Sequence, residues 1–128
     1  MDDPMRGADN PSIVNCLLVN PFNAVDFASQ TSGRHLIRGL YGHPLNIGIQ
    51  IDQCHNVGRI MDVHFWPFWS FDPAVYRYQA NNAFSFVFYR TDWEVVQDIF
   101  SWRYHVGVLL GARPQYTRLN PSAITAVS

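Results

Sequence analysis

The chain has 128 residues, 48% of them apolar and 15% aromatic, enough for one hydrophobic core and too few for two. A formal net charge of −1 excludes a protein drawn to nucleic acid by a strong overall positive field. Charged residues are 15%, against about 25% in an average domain. All the basic residues are arginine and Glu94 is the only glutamate, a bias found on protein surfaces buried against partners.

No apolar run approaches the roughly 18 residues of a membrane span. Met1-Asp2-Asp3-Pro4 lacks the basic start of a secretory signal, so an intracellular protein, nuclear or cytoplasmic, with no membrane partner is expected. Cys16 and Cys54 show no metal-ligand spacing and read as free, buried small hydrophobes.

In chain order, 1–11 reads as a polar arm and Ser12–Val19 (SIVNCLLV) as a strand. Asn20, followed by Pro21, has the form of a helix start, with Phe22, Val25 and Ala28 on the helix it opens. His35–Tyr41 (HLIRGLY) suits a buried strand. From Pro44 to Val57 two patterns compete. Leu45, Ile47, Ile49 and Ile51 alternate as in a strand, whereas Ile47, Ile51 and Cys54 share a helical face.

Arg59–Trp66 (RIMDVHFW) reads as a strand and 67–80 as a loop or ribbon. Ala83–Tyr89 (AFSFVFY) is the strongest strand candidate. Thr91 and Glu94 have the spacing of a capping box, with Val95, Val96, Ile99 and Phe100 on the helix it would open. Arg113–Leu119 reads as a last strand. No internal repeat stands out.

Asn82–Tyr89 (NAFSFVFY) resembles the third-strand signature of the RNA-recognition motif (RRM), with Phe84, Phe86, Val87 and Tyr89 matching and Asn82, Ala83 and Ser85 departing. Val57–Phe65, Gly107–Leu119 and His35–Leu40 are similar to other segments of that family, although Leu36 stands at its first-strand aromatic position. The resemblance implies an α+β, ferredoxin-like βαββαβ sandwich: a four-stranded antiparallel sheet with two helices over 33–119. It makes 44–56 helical, with 1–32 an N-terminal arm and strand-helix extension and 120–128 a tail.

It also implies single-stranded RNA bound on an open sheet face. Phe84 and Phe86 would stack bases there, Asn82 would stand in the usual basic position, and Arg38, Arg59 and Arg90 would be the nearest phosphate contacts. The alternative is an RRM-like protein-interaction module, a homo-oligomer or a subunit of a larger assembly such as a viral or ribonucleoprotein complex. Five aromatics between Phe65 and Phe71 point that way, with Trp66, Phe68, Trp69 and Phe71 as its partner-binding residues. No nucleotide-binding, zinc-protease or nucleophile-elbow motif is present, and Cys54, His55 and His64 lack a fourth ligand. A non-enzymatic domain without metal or cofactor is therefore expected.

Overall fold

The computed structural model describes residues 6–111 and 125–127, most of them in extended strands. In order these are β1 (Arg6–Asp9), β2 (Ser12–Leu18), β3 (Asn23–Phe27), β4 (Thr31–Gly33), β5 (Leu36–Gly42), β6 (Ile47–Ile51), β7 (Cys54–His55) and β8 (Gly58–Phe65). Helix α1 (Pro73–Asn82) follows, then β9 (Phe84–Phe88), β10 (Glu94–Ser101), β11 (Val106–Leu110) and β12 (Thr125–Val127).

The strands fall into three sheets: β1-β4-β7, β10-β8-β5-β2, and β12-β11-β9-β6-β3. Every pairing is parallel except that of β12 with β11. A chain that visits three sheets in turn, and returns each time one strand further along, is a parallel β-solenoid. This corrects the expectation of an antiparallel ferredoxin-like βαββαβ sheet with two helices.

Three coils are complete. A fourth enters through a bridge between Cys54 and Thr91 and continues as β10 and β11. Residues 6–33 belong to the same stack, since β2 pairs with β5 and β3 with β6. The expected last strand at 113–119 lies outside the described residues.

Parallel stacking in register lines up like positions of successive coils. In the second sheet Ile13, Ile37, Ile60 and Val96 form one inward column, and Leu40, Val63 and Ile99 another; Cys16 is in register with the latter but exposed, so of the two cysteines only Cys54 is buried. In the third sheet, Val25, Ile49, Phe86 and Val108 align likewise. Ile37, Leu40, Ile49, Ile60, Val63 and Phe86 are buried, and each contributes about 1.5–3 kcal/mol by leaving water. Phe65 stacks on Phe86 across the lumen, their centroids 5.4 Å apart.

The second sheet carries a further column. Asn15, Gly39, Asp62 and Asp98 face one another in register, all at left-handed φ (56°, 68°, 54° and 55°). Asn, Asp and Gly are the residues that enter this region at least cost. The kink places two residues, rather than one, between successive inward positions. That is why RIMDVHF fails to alternate strictly: Ile60, Val63 and Phe65 point inward, and Met61 and His64 outward.

Three local expectations are overturned by the stacking. The helix starts read at Asn20 and Pro44 give way to β3 and β6, whose backbone groups bond to neighbouring coils. Thr91 and Glu94 do bond to each other (Thr91 Oγ1 donates to Glu94 Oε2, 3.0 Å), but Glu94 opens strand β10 rather than a helix. The helix that does form lies in the segment read as loop. Asp72 caps it by accepting from the Ala74 amide at 2.8 Å, and Pro73 occupies its first turn.

Asp98→Val would force a β-branched residue into the left-handed column and should cost roughly 1–2 kcal/mol. Asp98→Asn should be nearly silent. Chemical denaturation of the two variants checks the column.

Candidate functional site

Two groups of polar side chains stand out, one inside the solenoid and one outside. The inner group lies where the first sheet turns into the second. His35 Nε2 donates to Glu94 Oε1 at 2.5 Å, with both side chains almost wholly buried. Gly58, from the coil between them, permits this contact; a Cβ there would collide with the imidazole and with the carboxylate. Ser32 Oγ lies 3.3 Å from Cys54 Sγ in the same region.

Burial alone would pull His35 toward its neutral form. The hydrogen bond to Glu94, the Glu94 charge and the neighbouring Cys54 sulfur outweigh it and hold the imidazole up at about 9. A thiol, an imidazolium and a carboxylate are thus brought together, but at 2% exposure Cys54 is closed to any substrate. This group serves the fold. Beyond it the lumen of the fourth coil opens into a cavity of about 260 Å³, lined by Val96, Ile99, Val108 and Leu110 with Glu94 at its edge.

The outer group covers the solvent face of the second sheet. Leu17, Tyr41, His64 and Phe100 form an outward column in register. Its rings touch along the column: His64 and Phe100 are 4.4 Å apart, Tyr41 and His64 6.3 Å, and Trp66 lies 5.6 Å from His64. Beside it runs the left-handed column, whose Asn15, Asp62 and Asp98 are exposed, with Tyr41 Oη donating to Asp62 Oδ2 at 3.0 Å. Arg38 and Arg59 lie on the same face, in the next columns along the strands.

α1 stands along one border of this face, where the second sheet turns into the third. Gln79, the buried residue of the helix, pins it there by accepting from His43 Nε2 (2.6 Å) and donating to the Trp102 carbonyl (3.4 Å). Arg103 lies over both Tyr76 and Trp102, at 5.1 and 4.9 Å.

The residues singled out in the sequence are scattered over this frame. Phe86, 1% exposed, is lumen core, and Phe84 is half-buried against the edge of His105. Asn82 ends α1, where its side chain donates to the Tyr78 carbonyl (3.0 Å). Arg90 pairs with Asp92 (3.6 Å) at the turn before β10. Arg38 and Arg59 fall on the outer face, and Trp66 lies at its border beside His64. Among the aromatic run, Trp66, Trp69 and Phe71 are exposed and Phe68 is half-buried. Tyr41, Phe100, Asn15 and Asp98 were not singled out as site residues, and His64 was weighed only as an incomplete metal ligand. A recurring string was available to find them: an aliphatic residue, any residue, then Asn, Gly or Asp, then an apolar residue.

Comparison with family models, curated proteins and solved structures finds no match to this chain. No helix among the described residues is long and apolar enough to cross a membrane.

The His35–Glu94 pair carries a pH signature. With its folded value raised from 6.5 to about 9, His35 contributes stability that is complete below pH 6.5 and is lost as pH rises through about 9. Unfolding midpoints should therefore fall across that interval, and His35→Gln should remove the dependence. Denaturation at pH 6, 8 and 9.5 measures it.

Proposed function

We propose that this chain is a binding module that receives an extended, polyhydroxylated polymer, a glycan chain, on the outer face of the second sheet. The observation that supports it is the pair of adjacent outward columns, one of rings and one of amide and carboxylate groups. Rings offer flat apolar surface to the C–H faces of sugars. Carboxylates and amides are hydrogen-bond acceptors for their hydroxyls. Successive strands lie about 4.8 Å apart, so the columns present their groups at a regular interval along the solenoid axis. α1 and Trp66 give this flat strip a raised border.

Single-stranded RNA fits the same face less well. His64 and Phe100 already pack against each other and leave no slot for a base between them. Asp62 and Asp98, exposed beside the rings, would repel a phosphate backbone. A protein partner is a second reading, favoured by the insertion: Phe71 is 75% exposed, and Phe22, Leu45, Val75 and Tyr78 line an apolar groove of about 280 Å³.

Retardation on gels containing soluble glycans, with RNA homopolymers in parallel, tests the proposal. The wild type should be slowed by at least one glycan class. Phe100→Ala should lower that affinity by an order of magnitude or so, as expected for loss of about 1–1.5 kcal/mol of ring contact, with its unfolding midpoint little changed. Retardation by RNA and by none of the glycans would overturn the reading.

A further inference from the structure

We propose that His43 and Gln79 form an acid-sensitive latch that holds the helical insertion, residues 66–83, against the solenoid. The inference rests on how the insertion is docked and not on what the outer face binds. Gln79 makes the deepest attachment of α1. Its Oε1 can only accept, so the 2.6 Å contact fixes the proton of His43 on Nε2. His43 Nδ1 is then bare, buried and without a hydrogen-bond partner. Trp69, itself part of the insertion, makes a T-shaped contact with the imidazole, their ring centroids 6.5 Å apart.

A second proton on His43 would therefore create a buried cation, and neither the Gln79 amide nor the Trp69 ring carries a charge to neutralise it. The titratable groups of the packed elements are engaged elsewhere. Arg103 is stacked on Tyr76 and Trp102, and Tyr104 Oη donates to the Pro44 carbonyl at 2.7 Å. The His105 ring meets Phe84 in a T-shaped contact, Tyr78 Oη donates to Asn46, Asp72 caps α1, and Arg77 is exposed. None of them is an acidic partner for the imidazole. Burial accordingly lowers the His43 value below 6.5, with the bond to Gln79 acting weakly the other way.

The sign follows. Above pH 6.5 His43 is neutral whether the insertion is docked or released, and the latch has its full strength. As pH falls below 6.5, toward the depressed docked value, the released state gains a proton that the docked state resists. Release is local, because the strands on either side are paired to neighbouring coils and not to α1.

Hydrogen exchange on the intact protein at pH 7 and pH 5, corrected for intrinsic exchange rates, reads the latch. Amides of 73–82 should exchange at least tenfold faster at pH 5, while those of β5 and β8 remain protected. His43→Gln, which keeps an amide donor but cannot titrate, should show no such pH dependence, whatever its absolute rates. Asp72 is present in both proteins, so the difference between them isolates the imidazole. Equal protection at the two pH values in the wild type, the same acceleration in His43→Gln, or simultaneous loss in β5 and β8 would each overturn the proposal.

Discussion

In every strand of the second sheet one residue turns into the left-handed region, and these residues stack directly over one another. A kink of this kind in a single strand would break its pairing. Repeated in register through Asn15, Gly39, Asp62 and Asp98, it bends the whole sheet and leaves the ladder intact. The same kink resets which side chains face the lumen, so Leu40 and Val63 can join Ile37 and Ile60 inside. It also brings polar residues to the outer surface next to Tyr41, His64 and Phe100. Core and candidate site thus descend from one backbone feature.

Strand positions were legible where apolar runs were dense: SIVNCLL, LIRGLYG, GRIMDVHF and FSFVF all form strands. Their neighbours were not. Pro21 and Pro44 mark corners of the solenoid here, yet locally they look like helix starts, and nothing within ten residues says that a neighbouring coil will claim the backbone. Thr91 and Glu94 show the same competition, keeping their mutual hydrogen bond while the chain around them goes into β-structure. The repeat itself was faint. Its coils share only a four-residue string around the Asn, Gly or Asp of the left-handed column, and the insertion of 66–83 breaks the period between β8 and β9.

The candidate surface was harder still to read, because it is assembled from residues far apart in sequence. Tyr41, His64 and Phe100 come from three different coils and become neighbours only through strand register. The aromatic cluster that is contiguous in sequence divides instead: Phe65 goes to the lumen, and Trp66, Trp69 and Phe71 remain outside. Phe84 and Phe86 were prominent for a real reason, their strand propensity, but in a closed solenoid alternate positions of a strand lead to a packed interior and not to an open sheet.

The connection from β8 to β9 shows how little this architecture asks of its corners. β8 is held by β5 and β10, and β9 by β6 and β11, so neither depends on the length of chain that joins them. Lengthening such a link costs only about 0.6 kcal/mol per doubling in closure entropy. The corner is therefore a natural graft point: a foreign segment could replace 67–82 while the strands keep their partners, provided something in it does for the His43 imidazole what Gln79 does now.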